Sequence, residues 1–131
     1  MGDDEFMKVE KQPTNIEECH KIILDNSDED NLNSWLKMDE ESAIGISHHG
    51  IGRGIRNEFH LWEEDNELVK FFNNLGIKHA DDMSGMILTS LHRKLNGKDM
   101  DYDGQIKGYK DYWRKMERGT NKFEWIQEKK E

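Results

Sequence analysis

Ser42-Ala43-Ile44-Gly45-Ile46-Ser47-His48-His49-Gly50-Ile51-Gly52-Arg53-Gly54-Ile55-Arg56-Asn57-Glu58-Phe59-His60-Leu61-Trp62 holds the central choice between helix and loop. Ile44, Ile51, Ile55, Phe59 and Trp62 recur at helical spacing, with His48 filling the gap in the series. Steps that alternate between 3 and 4 put side chains on one helix face. Against this stand Gly45, Gly50, Gly52 and Gly54, since each glycine costs about 1 kcal/mol relative to alanine inside a helix. A loop through residues 45–54 is the competing reading. The periodicity runs through the glycines, and small residues let another element pack close, so one helix starting at Asp39 or Ser42 is predicted.

The flanks also read as helices. Thr14 with Glu17 three residues later has the form of a capping box, and Ile16, Cys19, Ile22 and Ile23 give the following helix an apolar face. Leu32, Trp35, Leu36 and Met38 mark a second short helix. Beyond the central stretch, Asp65 or Asn66 caps a helix carrying Leu68, Phe71, Phe72 and Leu75. Gly76 is placed for a left-handed C-cap with Ile77 folding back. Met83, Ile87, Leu88, Leu91 and Leu95 form the next stripe, which Asn96-Gly97 stops. A last long helix begins near Asp101 or Asp103, lined by Tyr102, Ile106, Tyr109, Trp113 and Met116, with Gly119 as its end. No alternating β-branched segment and no hairpin signal appears.

At 131 residues, 34% hydrophobic and 36% charged, the chain has the size of one domain with a compact core. The mean hydropathy of -1.03 leaves no run long and apolar enough to span a bilayer. Met1-Gly2-Asp3-Asp4-Glu5 lacks the basic start and apolar stretch of a signal peptide. Cys19 is the only cysteine, so no internal disulfide forms, and a cytoplasmic setting is expected. The net charge of -9 is uneven: residues 1–47 carry 13 acidic and 4 basic side chains, residues 48–131 carry 15 of each. This balance argues against sequence-independent nucleic-acid binding, which needs a basic footprint. It permits a basic partner or mimicry of nucleic acid, and acidity for solubility alone is the plainer reading.

Three blocks together resemble a domain-of-unknown-function family of bacterial and phage proteins. They are His48-His49-Gly50-Ile51-Gly52-Arg53-Gly54-Ile55-Arg56-Asn57 through Leu61-Trp62, then Leu75-Gly76-Ile77-Lys78-His79-Ala80-Asp81-Asp82-Met83-Ser84, then Leu91-His92-Arg93-Lys94-Leu95-Asn96-Gly97-Lys98. The similarity runs over roughly residues 14–116. The family has proline at the position of Ala80, where a first helical residue is favoured as proline. The resemblance implies a helical fold and a phage or bacterial source, and it carries no activity to this chain.

Among residues that could carry chemistry, His49, Arg53, Arg56 and His60 follow at steps of 4, 3 and 4 and share one polar stripe. Two arginines between histidines can hold a phosphate or carboxylate through forked, charge-assisted hydrogen bonds. The plainer reading is that Arg53 and Arg56 pair with local carboxylates such as Glu58, Asp81 and Asp82. His48, on the apolar face, reads as a core histidine. A lone cysteine and the absence of a His-Glu-x-x-His run leave no metal motif. Asp81 and Asp82 read as partners of a helix N-terminus. Cys19 and His20 are helix neighbours about 100° apart and do not face each other. Phe123 and Trp125 in the charged tail either dock on the domain or mark a partner surface.

The expected fold is all-α: a compact bundle of five or six short helices with a flexible acidic N-terminal arm. Its parts are a disordered arm (residues 1–13), one helical domain (residues 14–118) and a C-terminal tail (residues 119–131). The core helices should start near residues 42, 66, 80 and 101. Two functions are carried forward. One is a protein-binding module, for instance an inhibitor of a host protein or defence system, with no catalytic residue, cofactor, metal, nucleic acid or membrane. The other is a phosphate-compound binder or hydrolase using His49, Arg53, Arg56 and His60. A concave stripe favours the ligand reading, and a flat, salt-bridged stripe favours the binding reading.

Overall fold

The computed structural model describes the backbone of residues 7–130 and the side chains of residues 7–117. The described residues form seven helices and no strand: α1 Ile16–Asp25, α2 Glu29–Lys37, α3 Glu40–Ser47, α4 Ile51–Glu58, α5 Glu67–Asn74, α6 Ala80–Leu95 and α7 Tyr102–Lys130. Side-chain oxygens set four of the starts. Asn15, Asp28, Asp39 and Asn66 each accept from a backbone N–H of the first turn they cap. For α1 this moves the expected cap by one residue: Asn15 caps, and Glu18 reaches back to the N–H and hydroxyl of Thr14 at 2.8 and 3.0 Å.

The expected count of five or six helices is exceeded because the single predicted helix over residues 42–62 is two. Gly50 leaves the helical region (φ -99, ψ -103) between α3 and α4. Periodicity carried through glycine did not reveal this, because a short turn can leave the apolar steps in register on both sides. The end of α4 also comes early. His60 takes a left-handed conformation (φ 52). The Leu61 N–H then bonds the Arg56 carbonyl at 3.0 Å and the His60 N–H bonds that of Asn57 at 3.3 Å, a Schellman pattern. This turn sends Leu61 inward (3% exposed) and Trp62 outward (65% exposed), so Trp62 is not on the buried face the sequence pattern placed it on. The same pattern ends α5 at Gly76 and α6 at Gly97, both at positive φ as expected for glycine.

Helix α6 is the centre, with α1, α3, α4 and α7 packed against it. Its burial therefore extends beyond the expected stripe to Ser84, Met86, Thr89, Ser90 and His92, while Leu95 at the free end is partly exposed. Ile55 and Phe59 of α4, Leu68 and Phe72 of α5, and Ile16, Cys19 and Ile23 of α1 close over it. Gly85 is where α7 comes nearest: a Cβ there would lie 2.9 Å from the Tyr109 hydroxyl. Within the segment expected as an arm, Met7 and Pro13 are buried in the described structure. Lys8 exchanges two backbone–amide hydrogen bonds with Asn26, and Gln12 donates to the Glu58 carbonyl. Helix α7 runs on past Gly119, since one glycine costs a helix only about 1 kcal/mol. Among the described residues, no helix is long and apolar enough to cross a membrane.

Candidate functional site

The four stripe residues do not stay together. Arg56 turns onto the core side of α4, beside Ile55, and is 7% exposed. Its Nη1 donates to Ser84 Oγ at 3.0 Å, its Nη2 to the His48 carbonyl at 3.1 Å, and its Nε lies 3.3 Å from Asp81 Oδ1. One guanidinium thus joins the α3–α4 turn, α4 and the first turn of α6. Gly52 makes this geometry accessible. A Cβ at Gly52 would sit 3.3 Å from Arg56 Nη1 and 2.9 Å from the Ser47 carbonyl oxygen.

His49, Arg53 and His60 are exposed, and so is Asn57, whereas Arg56 is not. Arg53 and Asn57, four residues apart, share the exposed face of α4, whereas His49 precedes the non-helical Gly50 and His60 follows the helix in a left-handed conformation. Arg53 makes no side-chain hydrogen bond or ion pair among the described residues. His60 Nδ1 lies 3.4 Å from Glu63 Oε2. Trp62, two residues on, borders an open hollow with Leu61, Lys78 and His79. His49, Arg53, Arg56 and His60 are in the wall of none of the five best-formed hollows of the described residues. The helical spacing of Trp62 places it with the core residues, and only the left-handed turn at His60 brings it to the surface.

The other polar residues singled out fall as follows. His48 is half-buried, edge-to-face with His49 at 4.7 Å, rather than in the core. Core histidines are instead His20 and His92. Each bonds a backbone carbonyl through Nε2, His20 to Ile87 at 2.8 Å and His92 to Trp35 at 3.2 Å. A carbonyl only accepts, so Nε2 carries the proton in both. Burial lowers the His20 pKa to about 4, against the opposing effect of the Ile87 hydrogen bond. Cys19 is fully buried, and that burial pushes its thiol up. Among the described residues no three of His, Cys, Asp and Glu gather as a metal site. The side chains of Phe123 and Trp125 lie outside the described residues.

A second concentration of chemistry has parts far apart in sequence, so no local motif marks it. Between α6 and α7, at the start of α3, lies an open groove of about 580 Å³ walled by Glu40, Asp82, Arg93, Tyr109, Tyr112 and Trp113. Asp82 Oδ2 accepts from the Trp113 indole N–H at 2.6 Å, and the Trp113 ring stacks on His79 at 3.7 Å. Burial raises the Asp82 carboxyl above its ordinary value, opposed by the indole hydrogen bond and by His79. Arg93 is held in a fork by Glu40, at 2.7 and 3.0 Å, and that pairing keeps the Glu40 carboxyl low. Burial also pushes the Tyr109 phenol up to about 12. Gly85, receiving the Tyr109 hydroxyl, was the one local sign of this close helix pair.

Residues 12–95 match the family model described as a domain of unknown function (DUF6794). No curated protein and no solved structure matches the chain.

Proposed function

We propose that this chain, which belongs to the DUF6794 family, is a protein-binding module that engages its partner through the exposed edge of α4 and Trp62. The observation that carries this reading is Trp62, 65% exposed, which follows the exposed Arg53 and Asn57 of α4 and the exposed His60 that ends it. Tryptophan and arginine dominate the energetics of protein interfaces, and a large exposed aromatic is the informative departure from ordinary burial.

His60 adds support. At the equivalent position α5 and α6 use glycine, which adopts positive φ without steric cost. Histidine there keeps a polar ring on the surface at some cost in stability, and such strain concentrates at functional sites. The ligand-binding alternative needs a concave stripe with both arginines available, and Arg56 is engaged in the fold.

The test is affinity capture from bacterial lysate with the wild type and with Arg53→Ala/Trp62→Ala, followed by mass spectrometry of proteins and small molecules. Both positions are exposed, so circular dichroism should show an unchanged fold. A stoichiometric protein held by the wild type and lost from the variant is the expected result. A phosphorylated small molecule on the wild type with no protein would overturn the reading.

A further inference from the structure

The α6–α7 groove shares no lining residue with the exposed edge of α4, and its chemistry is one-sided. Asp81, Asp82, Glu40, Thr89 and the Tyr109 hydroxyl supply acceptors around it. Among the described residues the only cation in its wall is Arg93, whose Nε and Nη2 are taken by Glu40 and whose Nη1 donates to the Met100 carbonyl at 2.8 Å. That pair is internally neutral. Asp81 is partly offset by Arg56 at 3.3 Å. Asp82 is half-buried, and its hydrogen bond comes from a neutral indole N–H. A partly desolvated carboxylate gains most from a cation brought to it.

The remaining wall is aromatic. Tyr112 is 52% exposed and stands edge-to-face with Trp113 at 5.1 Å. Aromatic faces beside a carboxylate suit a guanidinium better than an ammonium, because the planar group can stack and donate a fork of hydrogen bonds at once. Asp82, Tyr109 and Trp113 also border a second hollow, which holds Lys78, Lys110 and Arg114, so an incoming cation reaches Asp82 from the α6–α7 side. From Asp82 to Arg93 the groove follows α6 for about 16 Å at the helical rise, enough to seat about five residues of extended chain.

We propose that the α6–α7 groove docks a basic segment of a partner protein by one arginine side chain, set against Asp82 and stacked on the Tyr112–Trp113 wall. The inference rests on the reading of the chain as a protein-binding module and places a contact on a face separate from α4.

The experiment is a titration of the full chain, labelled with nitrogen-15, following the Trp113 indole N–H. The probes are a blocked Gly-Arg-Gly-Arg-Gly peptide, its glutamate counterpart and arginine amide. The arginine peptide should shift the Trp113 signal and bind more tightly than arginine amide, and the glutamate peptide should not bind. Asp82→Asn keeps an acceptor for the indole and should weaken the arginine peptide about tenfold, and Tyr112→Ala, at an exposed position, should weaken it severalfold. An unmoved Trp113 signal, or equal affinity in Asp82→Asn, overturns the site. Arginine amide binding as tightly as the peptide overturns the protein segment in favour of a small cation. Arg53→Ala/Trp62→Ala should bind the peptide normally, so a failure on the α4 edge and a failure in the groove are read separately.

Discussion

Arg53 and Arg56 lie three residues apart on α4, and His60 follows the end of α4 whereas His20 lies in the middle of α1. Yet Arg53 and His60 face solvent, whereas Arg56 and His20 are buried and bonded to the body. The same residue types therefore do different work according to which side of the helix they occupy. Inside, the polar group is tied down by carbonyls and hydroxyls of other elements and contributes to the fold. Outside, it is left available.

The largest effect should come from the inner arginine. Arg56→Ala removes a charged donor that bridges His48, Ser84 and Asp81, and should cost about 3 kcal/mol in urea unfolding. Arg56→Lys cannot reproduce the fork and should recover only part of it. A loss under about 0.5 kcal/mol for Arg56→Ala, the range of a plain surface position, would erase the contrast between the two arginines.

His20 sharpens the contrast through pH. The folded His20 titrates at about 4, held down by burial and, after the opposing bond to Ile87, by Lys94. The unfolded chain takes up this proton near the ordinary value of about 6.5. Stability from His20 is therefore full above that value and is lost as pH falls toward 4. Between about pH 7.5 and about pH 5 the loss should be about 2 kcal/mol. His20→Met should remove that slope, and a wild type equally stable at both pH values would show that the ring is not held neutral.

Much of this arrangement was legible in the sequence where one residue decides one backbone feature. Gly76, Gly97, Asp39 and Asn66 each end or start a helix where their chemistry suggests. What escaped were features set by tertiary contacts. Arg56 reads as polar, so its inward turn depends on Ser84, Asp81 and the slot left by Gly52. The end of α4 carries histidine where glycine would have announced a left-handed cap, and Trp62 was assigned to the core in consequence. The α6–α7 groove draws on positions 40, 81–93 and 105–113. No local period connects them, and only the packing of α7 across Gly85 brings them together.

The outer pair gives the smaller effects, and the first has the opposite sign. His60→Gly relieves a non-glycine residue at φ 52 and should raise stability by about 1 kcal/mol, net of the extra freedom glycine gives the unfolded chain. Arg53→Ala should change stability by less than about 0.5 kcal/mol, since the side chain is exposed and no described residue binds it. Under the binding reading, both changes weaken capture of the partner although neither harms the fold. That combination separates an interface from a structural surface. A strained residue kept only by chance would leave His60→Gly more stable and equally competent, and a solvated arginine with no role would leave Arg53→Ala indistinguishable from wild type in unfolding and in capture alike.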